Sequence, residues 1–273
     1  MEILGILNIT DDSFSDGGLY LEKRNAIKKI EELAKGANII DIGAQSSNME
    51  AKIIPAELEW ARIEPLIPIL KNKKIKISID TYKPFVIEKC IEKQVDFINN
   101  ITSFSDEKSL EILTNNKNQL PELILMYSHN QKEKATANSN LTINSVMEKI
   151  NAFFDSKLKH LQSFGIPTSK CILDPGMGLF LGEDPALSFQ VIREIKNFRT
   201  RFGRTLVSVS RKSFLGKSLG NIPPQERNFA TLAAELFLYT QGIDFIRTHE
   251  PLALHNAIHI WNLCENPSLI SLS

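Results

Sequence analysis

Asp80, Asp174 and Lys212 stand where side chains do chemistry. The two aspartates end the short apolar runs 75–80 and 171–174, and Lys212 follows the run 206–210. Runs of this kind, bounded by polar residues, read as buried strands, so whatever follows them leaves from a strand's C-terminal end. Two carboxylates and a lysine are costly to bury unless they pair with one another or meet a complementary ligand. With Asn99 at the end of the run 96–101, they suit a flat heterocycle with a guanidine-like edge. Adjacent N–H groups on such an edge donate to a carboxylate, and a ring carbonyl or nitrogen accepts from Lys212. The plainer alternative is a structural ion-pair network. The carboxylates are expected to raise the pKa of Lys212 and keep it protonated, which argues against a Schiff-base role.

A second group surrounds an anion. Arg247 and His249 lie two apart on the run 245–249, so they are expected to point to the same side. Asn8 closes the first run, 2–8, which neighbours the last one in a closed barrel. Arg, His and Asn together suit a phosphate or pyrophosphate, with Mg2+ as the accompanying cation. Asn8 also opens the stretch 8–18, which carries Asp11, Asp12 and Asp16, a single aromatic, Phe14, and the pair Gly17-Gly18. That composition suits a lid holding a metal-bound phosphate and closing an aromatic face over a ligand. His160, His255 and His259 fall in helical stretches and read as surface or packing residues.

Eight apolar runs position these groups: 2–8, 37–43, 75–80, 96–101, 123–128, 171–174, 206–210 and 245–249. Between them lie helical stretches such as 58–70, 84–93, 143–164, 185–202 and 227–241, with apolar residues three and four apart. Eight strand–helix pairs predict a (β/α)8 TIM barrel, one domain over 1–273, with its chemistry at the C-terminal ends of the strands. Polar residues follow every run on that face, Met126-Tyr-Ser among them.

Composition narrows the partners. Of 273 residues, 42% are hydrophobic and 23% charged, with 32 basic residues against 32 acidic ones. No global field favours nucleic acid or an acidic membrane, so any anion site must be local. No signal peptide is read in 1–6, and no apolar run approaches the roughly 18 residues of a membrane span. Cys90, Cys171 and Cys264 are widely spaced, which fits a reducing cytoplasm better than a disulfide or zinc framework.

Across nearly its whole length the chain resembles the dihydropteroate synthase family. The resemblance is carried by Gly5-Ile-Leu-Asn-Ile-Thr-x-Asp-Ser-Phe-Ser-Asp-Gly-Gly18, Ser78-Ile-Asp-Thr-Tyr82, Ile98-Asn99, Asp174-Pro-Gly-x-Gly178, Ser210-Arg-Lys-Ser213 and Arg247-x-His249. It implies condensation of a dihydropterin pyrophosphate with p-aminobenzoate in folate synthesis. It also implies a pterin site at Asp80, Asn99, Met126, Asp174 and Lys212, and a pyrophosphate site at Arg247 and His249. Asn8 would serve both the pyrophosphate and Mg2+. Phe14, Ser47, Phe180 and Ser213 would border the aminobenzoate, and Asp16, Lys212, Arg247 and His249 would be the catalytic set.

Some residues depart from the family's usual pattern. The second loop, commonly Asp-x-Gly-Gly-Glu-Ser-Thr-Arg, reads Asp41-Ile-Gly-Ala-Gln-Ser-Ser-Asn48, the usual Asn-Asp pair is Asn99-Asn100, and Leu179-Phe-Leu-Gly182 follows the sixth run. These features are most similar to the sulfonamide-resistance (Sul) branch, which implies an enzyme insensitive to those drugs. Exposed apolar surface on the last two helices is expected to make a homodimer. The rival readings are a folate-dependent methyltransferase domain and a non-catalytic pterin-binding protein.

Overall fold

The computed structural model describes residues 1–9, 18–45, 53–130, 132 and 134–272. Its strands are β1 (Glu2–Asn8), β2 (Ile39–Gly43), β3 (Lys76–Asp80), β4 (Phe97–Asn100), β5 (Glu122–Met126), β6 (Cys171–Asp174), β7 (Leu206–Val207) and β8 (Phe245–Thr248). All pair in parallel, in the order β6-β5-β4-β3-β2-β1-β8-β7. The remaining gap is bridged where Leu173 pairs with Thr205, and Leu173 N donates to Arg204 O at 3.0 Å. The sheet therefore closes into the expected (β/α)8 barrel.

Around it lie α1 (Gly18–Leu33), α2 (Ala56–Ile63), α3 (Ile67–Asn72), α4 (Pro84–Glu92), α5 (Glu107–Asn115) and α6 (Val146–Ser163). They continue with α7 (Pro185–Phe202), α8 (Ser213–Ser218), α9 (Asn228–Thr240) and α10 (Pro251–Glu265). The caps explain several boundaries. Asp184 accepts from Ala186 N and Pro185 opens α7, while Gly203 ends it with φ of 86°. The stretch expected as one helix over 58–70 is instead α2, a 3-10 turn Glu64–Leu66, and α3. Pro65 and Pro68 cause the break, since neither can donate to the helix ladder.

Two apolar bodies hold the frame. Leu4, Ile39, Phe97, Ile124, Ile172, Leu206 and Phe245 form a buried cluster inside the barrel. Each such side chain contributes roughly 1.5–3 kcal/mol relative to exposure. A larger core packs the outer faces of the strands against the helices. Two residues further along the strands, most inward positions turn polar: Ile39 is followed by Asp41, Phe97 by Asn99, Ile172 by Asp174, Leu206 by Ser208 and Phe245 by Arg247, while Ile124 is followed by Met126. A two-residue strand period thus puts an apolar plug beneath a polar floor. No helix among the described residues is long and apolar enough to cross a membrane.

Candidate active site

Register sets the floor of the site. Asn8 pairs with Gly43, Gly43 with Asp80, and Asp80 with Asn99; on the far side Met126 pairs with Asp174. Asp80, Asn99, Met126, Asp174, Lys212 and Arg247 all line one cavity at the barrel mouth. Five of the six were expected together; Arg247 joins them from the group assigned to phosphate.

Arg247 crosses this floor. Its Nε donates to Asp41 Oδ2 at 2.5 Å and its Nη2 to Asp80 Oδ2 at 2.8 Å. Burial alone would lower its pKa, but the two carboxylates outweigh that and raise it. Asp41 is fully buried, accepts from Ser78 Oγ at 2.5 Å and receives Asn99 Nδ2 at 3.3 Å. His249 does not share the cavity with Arg247, because β8 ends at Thr248 and alternation stops with it. It lines a neighbouring hollow with Asn8, Lys28 and Lys29. Its Nδ1 shares a 2.9 Å hydrogen bond with Ser210 Oγ. Burial, then Arg247, Arg211 and Lys212, push its pKa down to about 3, so it is neutral at pH 7.

The carboxylates are tuned upward. Burial raises Asp174 to about 6, against the pull of Lys212 and of Gly176 N–H, which donates to Asp174 Oδ1 at 2.8 Å. Gly176 is needed for that turn: its φ is 75°, and an added Cβ would lie 2.2 Å from Tyr127 O. Burial raises Asp80 to about 7, with Arg247 opposing and Asp41 and Glu59 reinforcing.

Lys212 corrects a sequence expectation. Burial is the larger influence and lowers its pKa to about 8, although Asp174 and Asp80 pull the other way. Among the described residues its ammonium has no ion-pair partner; it rests 4.6 Å from the centre of the Phe180 ring, within cation–π reach. The turn before it delivers this aim. Arg211 adopts a left-handed φ of 58°, a strain of about 1 kcal/mol for a side chain of its size. Thr231 Oγ1 accepts from its N–H, Arg227 donates to its carbonyl, and Glu250 pairs with its guanidinium at 2.5 Å.

Phe180 closes the short turn Gly178–Phe180, and its carbonyl accepts from His129 N at 2.8 Å. A Cβ at Gly178 would meet Lys212 Cδ at 3.4 Å and Ser213 Oγ at 3.6 Å, so Phe180, Lys212 and Ser213 gather on one side of the mouth. Phe14, Asp16 and Ser47 lie outside the described residues. Asn8 is exposed at the rim, and no three His, Cys, Asp or Glu side chains cluster for a metal among the described residues.

Sequence reasoning gave no pterin-site role to Asp41, Gln45, Tyr82 or Ser208, the last three of which line the cavity. Asp41 was legible in principle, since it stands in phase with Ile39 and Gly43 on an inward face.

Comparison with known proteins follows the same lines. The family model described as pterin binding enzyme matches residues 4–249. The dihydropteroate synthase type-3 of Escherichia coli is 41% identical over 264 residues, covering 95% of this chain and 97% of that one. The type-2 protein of the same organism is 39% identical over 260 residues and covers 94% of each. The structure of Xanthomonas albilineans dihydropteroate synthase with 4-aminobenzoic acid matches with a TM-score of 0.85 at 25% identity, covering 97% of this chain and 93% of that one.

Proposed function

The chain belongs to the pterin binding enzyme family and is a transferase that condenses 6-hydroxymethyl-7,8-dihydropterin pyrophosphate with p-aminobenzoate, giving 7,8-dihydropteroate and pyrophosphate; from that premise we propose how its residues do so. The observation that carries the assignment of roles is the cavity floor of Asp80, Asn99, Asp174 and Lys212 under one barrel mouth. Asp174 and Asp80 accept the guanidine-like N–H edge of the pterin, Asn99 adds an amide contact, Met126 packs against the ring, and Lys212 donates to a ring oxygen or nitrogen.

The carbon–oxygen bond to pyrophosphate breaks first, and its electron pair leaves with the pyrophosphate. Positive charge spreads over the pterin above the Asp174 and Asp80 carboxylates. The neutral arylamine then attacks the methylene carbon and loses a proton to Asp16 or to the departing pyrophosphate. Arg247, His249 and Asn8 receive the pyrophosphate; Phe14, Ser47, Phe180 and Ser213 border the aminobenzoate. Mg2+ fits the rim because Asn8 offers one exposed amide oxygen, and a cation that keeps its waters needs little more besides substrate phosphate. Asn8 would hold the cation there, and the cation's positive charge would offset the negative charge of the leaving group.

We assign the chain to a sulfonamide-insensitive branch. The reading rests on Gln45 to Asn48 and on Leu179-Phe-Leu-Gly182. Phe180 at the cavity wall supports it. The chain acts as one cytoplasmic domain and pairs as a homodimer through apolar surface on α9 and α10, where Phe229, Phe237 and Ile260 are exposed. The deciding experiment for the roles is a pyrophosphate-release assay with both substrates. Release that depends on p-aminobenzoate and falls at least a hundredfold in Asp174→Asn supports the assignment. Pterin binding without release would make the chain a non-catalytic pterin-binding protein.

A further inference from the structure

A buried ion pair lies behind the exit of β2, and the reaction as described leaves it without a role. Glu59 of α2 is fully buried, and Lys83, just before α4, is nearly so. Lys83 Nζ sits 2.7 Å from Glu59 Oε2, and Glu59 Oε1 accepts from Thr81 Oγ1 at 2.5 Å. The ammonium also donates to Ile54 O at 2.5 Å and reaches Gln45 Oε1 at 3.5 Å. Gln45 Oε1 in turn accepts from Ile54 N at 2.9 Å. Gln45 and Ile54, nine positions apart, are thus tied to each other and to one buried cation. Gln45 lines the cavity together with Asp80 and Asp174.

Net stability does not account for this arrangement. A buried ion pair is commonly matched or exceeded by apolar side chains of the same volume. What the pair supplies, and an apolar contact does not, is direction, because it fixes where an amide oxygen and a backbone carbonyl must sit. Lys83 follows Asp80 by three residues, so the same strand end that carries a floor carboxylate also carries the clasp. The chain from Asp80 to Lys83 therefore couples the floor to the wall.

We propose that Glu59 and Lys83 are positioning residues that hold Gln45 in place as a binding residue for the pterin. This rests on the reading of the cavity as the pterin site. Calorimetry with 6-hydroxymethyl-7,8-dihydropterin pyrophosphate, without aminobenzoate, tests it in wild type, Gln45→Ala, the double variant Glu59→Met/Lys83→Met, and the triple variant. Wild type that does not bind the probe overturns the cavity reading itself. If wild type binds, the clasp predicts about tenfold weaker binding for Gln45→Ala and for the double variant, with the triple variant no weaker than the double.

In turnover, the KM for the pterin substrate should rise while kcat and the KM for aminobenzoate stay within about twofold. A folded double variant that binds as wild type does, or losses that multiply to about a hundredfold in the triple variant, overturns the clasp. Should the double variant fail to fold, Glu59→Gln keeps the shape and the Thr81 bond. It should weaken binding about threefold, and wild-type affinity there would equally overturn the proposal.

Discussion

Arg247 bridges Asp41 and Asp80, 2.5 Å from one carboxylate and 2.8 Å from the other. The two contacts are not equivalent. Asp41 is sealed from solvent, whereas the Asp80 side chain is 31% exposed at the mouth. Asp41 is also held by Ser78 and Asn99, whereas Asp80 lines the cavity, so the Asp80 end is the one that yields when a ligand enters. Arg247 is therefore anchored at Asp41 and can exchange Asp80 for an anion arriving from the side of Asn8 and His249. That reconciles its position inside the barrel with the phosphate role expected from sequence.

Asp41→Asn should accordingly do more damage than a loss of one substrate contact. Removing one partner of a buried pair costs about 3–5 kcal/mol, and the surviving Asp80 contact moves the expectation to about 3 kcal/mol. Denaturant unfolding measures it directly. A loss below about 1 kcal/mol would show that Asp80 alone suffices to hold Arg247.

Asp174 gives the acid side of the pH dependence. Its folded pKa, raised by burial from 3.8 to about 6, lies above its unfolded value. The native state therefore binds the proton more tightly. The stabilising contribution is fully present below pH 4 and is lost as pH rises through 6. Relative to Asp174→Asn, the ligand-free wild type should lose on the order of 3 kcal/mol between pH 4 and pH 7. Pterin binding needs the carboxylate, so its affinity should move in the opposite direction and strengthen over the same interval. Calorimetric titrations at pH 5 and pH 7.5 test the second statement, and equal affinity at both would remove Asp174 from the guanidine-like edge.

Lys212 should set the alkaline limb. With its pKa lowered by burial to about 8, the ammonium is lost over the range in which most lysines remain charged. The rate kcat/KM should fall above pH 8 in wild type. Lys212→Arg should move that limb beyond reach, at some cost in rate, because guanidinium stays protonated. Lys212→Ala should lose about 2–4 kcal/mol of transition-state stabilisation at pH 7. An alkaline limb that survives in the arginine variant would belong to another group.

The barrel could be read from sequence because apolar runs and helical spacing alternate along the chain, and because Asp184, Pro185 and Gly203 punctuate α7 so clearly. The break in 58–70 was visible as Pro65 and Pro68 but was outweighed by the apolar spacing around them. Asp41, at the head of the second loop, was given no site role because a single polar residue within an apolar run reads as the start of a loop. Glu59 and Lys83 drew no reading from sequence, since only the fold buries them together. The pKa of Lys212 was misjudged for a related reason. Neighbouring charges can be guessed from strand ends, but desolvation depends on how fully the mouth is packed.

Sulfonamide tolerance should depend on Phe180. The ring forms part of the cavity wall, and the turn that carries it is held by His129 N to Phe180 O and Leu181 N to Gly178 O, both at 2.8 Å. Leu181 is fully buried behind it, so the wall has little room to retreat. A sulfonamide keeps the aniline ring of the substrate but replaces a flat carboxylate with a bulkier tetrahedral sulfonyl. A rigid aromatic can clash with the second group and spare the first. Thousandfold discrimination requires only about 4 kcal/mol, within reach of one unrelieved clash. Removing the ring also forfeits its contact with the buried Lys212, worth about 2 kcal/mol, so turnover should fall roughly thirtyfold as well. The wild type should show a sulfamethoxazole Ki about a thousandfold above the aminobenzoate KM, and Phe180→Ala should lower that Ki by at least about thirtyfold. A wild-type Ki close to KM would end the resistance reading. A resistant wild type whose Ki is unchanged by Phe180→Ala would move the discrimination to the stretch around Ser47 and Asn48.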